Sequence, residues 1–256
     1  MSEGSRQTPL ETSLELPCGL RQDPQAARCA RCGARTIGVC GALEDEELNE
    51  LNRLAVAISA DSDQTILFEG DPANYAFNIS KGTVRLTRLL ADGRRSVIGF
   101  MFTGDFLGLS HSDTYVYSAE AVTPVEACQF RKKELNDLFS RFPKLESRLL
   151  ELVTTELITA QDQMLLLARK TPQEKVASFL VHIKKRLEAF SGSASEKLIL
   201  SMPRVDIADH LGLTPETVSR TLTRFTEAGV IEIHERRDIT ILDPDRLEAV
   251  AAGDLN

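Results

Sequence analysis

The stretch from Arg204 to Leu242, RVDIADHLGLTPETVSRTLTRFTEAGVIEIHERRDITIL, decides the fold of the C-terminal part of the chain. Its first part, Val205 to Leu211, is predicted as a helix. Ala208 in that helix is small, which lets a second helix approach closely. Gly212 follows at a tight turn, where a positive φ is often needed. The stretch therefore begins as a helix-turn-helix does.

The second helix of the motif has a clear start and a clear end. Thr214 is a good N-cap and Pro215 suits the first helical position. Val218 and Leu222 are expected to face the core, and Gly229 ends the helix as a C′ residue does. Two short β-runs joined by ERRD follow and are expected to form a wing. The stretch predicts a winged helix-turn-helix that binds DNA, and the alternative is a purely structural helical hairpin.

The polar face of the second helix supplies candidate contacts to DNA. Arg220 can donate two hydrogen bonds to guanine, and Glu216 can accept one from cytosine. We therefore assign base reading to these two side chains, although Glu216 also favours a helix N-terminus. Phosphate or mixed contacts are assigned to Thr217, Ser219 and Arg224.

A long helix precedes the winged motif. From Phe142-Pro143 to about Lys170, apolar residues recur in steps of three and four, as in a coiled-coil seam. The pattern predicts a helix that pairs with a second copy of the chain, and the alternative is a helix packed on its own domain. The predicted dimer interface consists of Leu150, Val153, Leu157, Ala160, Met164 and Leu167.

The region before the long helix alternates short β-rich runs with turns. From about Gln64 to Phe130, turn pairs such as Asp92-Gly93 recur at strand-plus-turn intervals, which is typical of an antiparallel roll. An amphipathic segment, Glu44 to Ile58, precedes it and is predicted as a helix. The fold class is therefore α+β: an N-terminal antiparallel β-roll, a long dimerisation helix and a C-terminal winged helix-turn-helix.

Charge and composition limit what the chain can do. It has 256 residues, a formal net charge of −8 and an isoelectric point of about 5.2, so bulk attraction to nucleic acid is not expected. DNA contact must come from a restricted face. No apolar run approaches the roughly 20 residues that span a bilayer, and we expect a cytoplasmic protein with no membrane partner.

Three of the five cysteines lie within one short, arginine-rich run near the N-terminus. Cys29, Cys32 and Cys40 have the spacing Cys-x2-Cys-x7-Cys, and Cys128 lies far downstream. In a reducing compartment such a cluster favours metal ligation over disulfides. On the residues alone, a four-cysteine zinc site and an iron–sulfur cluster are equally compatible, and Cys128 could be a buried core cysteine. Cys18 is left out of the ligand set.

The parts together resemble the Crp/Fnr superfamily of bacterial transcription regulators. FEGDPANYAFNISKGTVRL (68–86) in the roll and PETVSRTLTRF (215–225) in the second helix carry the resemblance, which covers about residues 29–245. It implies four parts: a tail and cluster-binding loop (1–43), a cyclic-nucleotide-binding-like roll (44–140), the dimerisation helix (141–170) and the DNA-binding domain (171–256).

The cysteines resemble those of the Fnr branch, whose members hold a 4Fe-4S cluster by three N-terminal cysteines and one from the roll. That resemblance assigns Cys29, Cys32, Cys40 and Cys128 as ligands. It implies a homodimer that binds palindromic TTGAT-like sites when the cluster is intact, contacts RNA polymerase and controls anaerobic or microaerobic genes. The alternatives are a structural zinc, nitric oxide as the signal, or another small ligand.

Two departures from the family pattern matter for regulation. The cyclic-AMP branch has an acid and an arginine that hold the phosphate, whereas this chain has Asp105 and Tyr117 at those places, so no cyclic nucleotide is expected. Fnr-type sensors usually carry an acid in the middle of the dimer helix, where Ala160 lies here. The chain is therefore expected to dimerise even without its cluster.

Catalysis is not expected. His111, His182, His210 and His234 are scattered, and phosphate-binding loops of the Walker or dinucleotide type are absent from the sequence. His210, inside the helix-turn-helix, is expected at the surface or on the phosphate side.

Overall fold

A computed structural model describes residues 29, 32–109, 112–192, 195–235 and 237–254. The α+β prediction is confirmed: an antiparallel roll, a long helix and a C-terminal helix-turn-helix follow one another along the chain. The predicted roles of the tail residues 1–28, including Cys18 and Arg28, fall outside the described residues.

The roll consists of two four-stranded antiparallel sheets. One has the order β1-β8-β3-β6 and the other the order β2-β7-β4-β5. The β4–β5 hairpin turns at Gly93, whose φ of 83° fits the predicted Asp-Gly turn. The strands are β1 (Val56–Ala60), β2 (Thr65–Leu67), β3 (Tyr75–Lys81), β4 (Val84–Leu89), β5 (Arg95–Met101), β6 (Phe106–Leu107), β7 (Ser118–Ala121) and β8 (Val125–Arg131).

Helices flank the roll on the N- and C-terminal sides. A 3-10 helix, Val39–Ala42, and helix α1, Asp45–Leu54, precede it. Helices α2, Lys132–Arg141, and α3, Pro143–Arg169, follow it. Helix α3 has 27 residues and starts with proline at its first turn, where the missing N–H is not needed.

The predicted helix over 44–58 was too long. Helix α1 ends at Leu54, and Val56–Ala60 forms strand β1, which pairs with β8. Val56 and Ile58 are β-branched, and pairing with an existing strand satisfies their backbone groups better than one more helical turn. The helical periodicity of the leucines concealed this boundary.

The C-terminal domain begins at helix α4, Pro172–Ser191. Thr171 and Glu174 form a capping box at its start, which fixes the boundary with α3. The remaining elements are β9 (Lys197–Ile199), α5 (Arg204–Leu211), α6 (Pro215–Glu227), β10 (Ile231–Ile233), β11 (Asp238–Ile241) and α7 (Pro244–Ala252). The wing is a three-stranded sheet, β10-β11-β9, and its strand β9 was not predicted.

The core of the C-terminal domain extends into the roll. Val97 and Phe100 of β5 are buried together with Ile207, Leu211 and other residues of the helix-turn-helix. A second apolar cluster fills the roll, and a third joins α1, α2, the start of α3 and the cysteine-bearing segments.

None of the helices in the described ranges is both long and apolar enough to cross a membrane.

Candidate metal centre and DNA-binding face

The four predicted ligand cysteines come from three parts of the chain. Cys40 lies in the 3-10 helix, and Cys128 lies on β8. The Cys32 N–H donates to the Cys29 carbonyl at 3.2 Å. All four are half-buried, and none forms a disulfide.

The thiol of Cys40 interacts electrostatically with the other three cysteines. Its pKa is raised to about 12, first by burial and then by the charges of Cys128, Cys29 and Cys32. The Arg35 guanidinium opposes this shift. Cys40 thus interacts with the two other cysteines of the N-terminal run and with Cys128, which the family resemblance added to the ligand set.

Arg35 also fixes the loop around Cys40. Its guanidinium donates to the carbonyls of Cys40 and Leu43, at 2.5 and 3.1 Å, and lies 3.9 Å from Asp45. Arg35 thus holds the backbone of this loop by hydrogen bonds and adds positive charge that offsets thiolates. Arg28 and Arg31 of the same arginine-rich run lie outside the described residues.

The donor set fits a group that needs four thiolates. Cys29, Cys40 and Cys128 pack against the third apolar cluster, so their ionised forms need a cation to offset their charge. In the described part of the chain, no three His, Cys, Asp or Glu side chains form a group that could hold a metal ion. Four thiolates can be held by a single zinc ion or, with one iron for each thiolate, by an iron–sulfur cluster.

The cysteine loop is attached to the long helix. Arg148 of α3 donates to the Ile37 carbonyl at 2.8 Å, and Val39 and Leu43 share an apolar cluster with Leu145. A change in the loop's conformation would therefore alter contacts with α3, the predicted dimer helix.

The second helix of the winged motif has the predicted local geometry. Gly212 adopts a φ of 61° at the turn, and the Thr214 hydroxyl accepts from the Thr217 N–H. Val218 and Leu222 are buried, as predicted. These contacts hold α6 so that its polar face points to solvent.

Four of the five predicted DNA contacts are exposed on α6, namely Glu216, Ser219, Arg220 and Arg224. Thr217 is half-buried, and its side chain lies 3.1 Å from the Thr214 hydroxyl. The Arg220 guanidinium donates to Thr217 at 3.4 Å, so the first turn of the helix orients it. The pKa of Glu216 is lowered by hydrogen bonds at the N-cap, which keeps its carboxylate an acceptor.

The predicted dimer seam projects from α3 into solvent. Leu150 is 66% exposed and Met164 is 69% exposed, whereas Leu166 on another face of the helix is buried. Leu167 also approaches the turn at Gly212. Ile158 and Leu165 are further exposed apolar residues that the heptad pattern did not include. Such a stripe needs a covering surface.

Comparisons with known proteins identify the family. A family model described as "Crp-like helix-turn-helix domain" matches residues 174–250, and one described as "Cyclic nucleotide-binding domain" matches residues 58–142. The chain is 42% identical over 231 residues to the nitrogen fixation regulation protein FixK of Bradyrhizobium diazoefficiens, covering 90% of this chain and 97% of FixK. The chain belongs to the Crp/Fnr family.

Further relatives of this chain also belong among Crp/Fnr-type transcription regulators. The transcriptional activator protein FnrL of Cereibacter sphaeroides is 34% identical over 230 residues, covering 89% of this chain and 93% of FnrL. The solved structure of FixK2 from Bradyrhizobium japonicum superposes with a TM-score of 0.71 at 34% identity, covering 77% of this chain and 96% of FixK2. The chain is a DNA-binding transcription regulator and not an enzyme.

Asp105 and Tyr117, which the family resemblance assigned to the nucleotide cassette, both make hydrogen bonds within the chain. Asp105 accepts from the Phe102 N–H at 2.7 Å and pairs with Arg186 of α4. Burial outweighs that pairing and raises the pKa of Asp105 to about 6. Arg186 also donates to Glu156 of α3 at 2.9 Å. The Tyr117 hydroxyl accepts from the Gly108 N–H at 3.0 Å.

The expectation that His210 lies at the surface or on the phosphate side was wrong. Its ring packs edge-on against Phe100 and Phe179, with centroids 5.3 and 6.1 Å away, and its Nδ1 lies 3.4 Å from the Val97 carbonyl. Burial, and then the charge of His182, lower its pKa to about 4. Helix α5 packs on strand β5, and this contact between distant segments has no local sequence signal.

Proposed function

We propose that the chain is an oxygen-responsive transcription regulator of the cytoplasm. Cys29, Cys32, Cys40 and Cys128 hold a 4Fe-4S cluster, and the homodimer binds palindromic TTGAT-like sites when that cluster is intact. The genes under its control are those of anaerobic or microaerobic life. When bound, the cluster supplies a centre that oxygen can oxidise.

One observation carries this proposal. Strand β8 pairs Cys128 in register with Asn78, whose carboxamide nitrogen donates to the Cys40 sulfur at 3.7 Å, so Cys128 lies beside the N-terminal loop. The charges of Cys128, Cys29 and Cys32 all oppose ionisation of Cys40. Thiols that repel one another as thiolates in a partly apolar site lose that repulsion only when a cation is present. The Arg35 guanidinium adds positive charge at the same place.

The chain's own residues connect the cysteine loop to DNA binding. Arg148 joins the Ile37 carbonyl to α3, so the loop conformation biases the helix that carries the apolar seam. A second copy pairs along that seam, and two α6 helices then read half-sites about one helical turn apart. RNA polymerase is the protein partner expected at the promoter.

A cyclic nucleotide is a poor effector for this roll. Asp105, which the resemblance assigned to the place of the family acid, already pairs with Arg186, and the resemblance puts Tyr117 where an arginine would hold the phosphate. Tyr117 offers no positive charge to a phosphate buried beside it.

The test is purification without air, followed by iron, sulfide and zinc analysis and an absorption spectrum before and after air. We expect about four irons and four sulfides per chain, a visible absorption that air removes, and loss of operator binding with it. Cys128→Ser should remove iron and operator binding together. Cys18→Ser is the matched control and should change neither.

The alternatives predict different results. Zinc without sulfide indicates a structural metal, and bleaching by nitric oxide but not by oxygen indicates a different signal. Iron-free, colourless protein that still binds its operator would overturn the sensor proposal and leave a winged-helix regulator with another trigger.

A further inference from the structure

Two buried asparagines lie against the cysteine site. Asn52 of α1 is 9% exposed and Asn78 of β3 is 1% exposed. The Cys29 thiol donates to the Asn52 carboxamide oxygen at 3.4 Å, and the Asn78 carboxamide nitrogen donates to the Cys40 sulfur at 3.7 Å. Both asparagines that are buried in the described part of the chain thus contact a proposed ligand.

The fold itself gives little reason to keep Asn78. Its carboxamide oxygen is buried without a hydrogen-bond partner among the described residues. A buried polar atom left unpaired costs about 1–3 kcal/mol, whereas an apolar side chain of the same shape is nearly neutral or stabilising. Because Asn78 destabilises the fold in this way, its presence at a buried position needs a reason other than stability.

The position of Asn78 supplies that explanation. Asn78 pairs in register with Cys128 across the β3–β8 ladder, so the two side chains lie on the same face of the sheet. The carboxamide therefore lies next to two of the four cysteines, one on its own sheet and one in the 3-10 helix. Asn52 approaches a third cysteine from helix α1.

We propose that Asn52 and Asn78 are positioning residues that donate N–H groups to the thiolates of Cys29 and Cys40. This inference rests on the proposed function. A carboxamide can accept from a thiol S–H through its oxygen, as Asn52 does, and can donate to a thiolate after rotating by about 180°. It therefore satisfies the sulfur in both states, which neither leucine nor aspartate can do.

Such donors change the properties of a thiolate-bound group. A hydrogen bond to a ligand sulfur withdraws negative charge and stabilises the more negative, reduced form, which raises the reduction potential. Outer-layer partners of this kind are worth about 10–100-fold in metal affinity or activity. Removing them should lower the potential and shorten the lifetime of the cluster in air.

The experiment compares Asn78→Leu and Asn52→Leu with the wild type, purified without air. Asn49→Leu is the matched control, because Asn49 lies on the same helix as Asn52 but is exposed. Iron and sulfide content, the midpoint potential in a redox titration, and the half-life of the visible absorption after air are measured. The thermal unfolding of each metal-free protein is measured alongside.

We expect both buried leucine variants to show a lower midpoint potential and a half-life about 10-fold shorter, while Asn49→Leu behaves as wild type. Metal-free Asn78→Leu should unfold at the wild-type temperature or higher, since it loses an unpaired polar atom. Wild-type potentials and half-lives in both variants overturn the inference. A lowered unfolding temperature of the metal-free variants also overturns it, because the asparagines then serve the fold.

If Asn78→Leu takes up no cluster, its potential and half-life cannot be measured. Asn78→Ser, which keeps a hydroxyl donor at the site, is then used instead. A loaded serine variant with an intermediate half-life supports the donor role, and an unloaded one that folds normally overturns it. The wild type is analysed first, and if it lacks iron and sulfide, the sensor proposal fails. If the wild type holds a cluster and the asparagine variants have its midpoint potential and half-life, only this inference fails.

Discussion

Asp206, in the first helix of the helix-turn-helix, accepts a hydrogen bond from Arg85 of the β-roll at 2.9 Å across 121 residues of sequence. Its other oxygen accepts from Arg95 at 2.6 Å. Asp206 is 1% exposed, and these two guanidinium groups pair with its buried carboxylate. Because Val97 and Phe100 pack into the same core, the roll and the DNA-binding domain are joined directly and not only through α3.

Substitution of Asp206 should loosen this junction. Asp206→Asn leaves Arg85 and Arg95 without their buried counter-charge, although Glu120 still lies 2.7 Å from Arg85. Breaking a buried pair costs about 3–5 kcal/mol, and we expect the low end here. Chemical denaturation of the metal-free protein measures the loss. Asp92→Asn, in an exposed pair on the same hairpin, is the control and should change little.

His210 should make the fold sensitive to acid. Its pKa is about 4 in the folded state and about 6.5 when unfolded. The unfolded state therefore binds more protons between these values, so stability falls as the pH is lowered from about 6.5 to about 4. The shift corresponds to about 3 kcal/mol. His210→Gln should remove this contribution, so its unfolding free energy should rise toward acid pH relative to that of the wild type. An unchanged slope of unfolding free energy against pH would contradict this.

Asp105 acts in the opposite direction over almost the same range. Its pKa is raised to about 6, so the folded state binds the extra proton and stability falls as the pH rises from about 4 to about 6. The two groups should nearly cancel in the wild type. Asp105→Asn should expose the His210 dependence as a steeper loss toward acid pH. A flat profile in that variant would show that His210 is not buried as a neutral ring.

The local parts of this fold were readable from sequence, whereas contacts between distant parts were not. Gly212, Thr214 and Gly229 occupy the predicted turn and cap positions because their effects are local. The junction at Asp206 depends on strands more than 100 residues away, and no periodicity encodes it. Helix α1 was predicted too long because strand β1 exists only through its pairing with β8.

In the candidate metal centre, too, local sequence patterns predicted some residues, whereas contacts between distant segments were not predicted. The Cys-x2-Cys-x7-Cys spacing indicated ligands, but only the family resemblance selected Cys128, since a lone strand cysteine is usually core. Asn52 and Asn78 were missed, because an asparagine inside a helix or strand gives no sign of what its amide contacts. What distinguishes these two asparagines is their burial, which cannot be predicted from sequence for polar residues.

The state of the dimer should depend on the seam of α3. Leu157 is exposed and central, so Leu157→Glu should give a monomer at micromolar concentration with little effect on the fold of the single chain. Sedimentation measures this. Thr155→Glu, on the opposite side of the same helix, is the control and should leave association unchanged. A dimeric Leu157→Glu protein would contradict the predicted interface.

Ala160 tests the link between association and the proposed cluster. Without an acid at this place, metal-free wild type should remain dimeric. Ala160→Asp introduces like charges across the two-fold axis, so its metal-free form should dissociate. Sedimentation of both metal-free proteins decides: a wild type that is already monomeric rules out constitutive dimerisation.

The two arginines of α6 should affect DNA binding in different ways. Arg220 is oriented by Thr217 and assigned to base reading, so Arg220→Ala should cost about 1–3 kcal/mol on a TTGAT palindrome and relax preference at one base pair. Arg224→Ala should weaken binding to all sequences alike and reduce the salt dependence by about one charge. Anisotropy titrations of the air-free protein over a salt series, with the palindrome and its single-base variants, separate the two effects. Arg53→Ala, an equal charge change on α1, is the control. If Arg220→Ala weakens binding equally to the palindrome and to its single-base variants, Arg220 contacts phosphate, and other side chains of the helix read the bases.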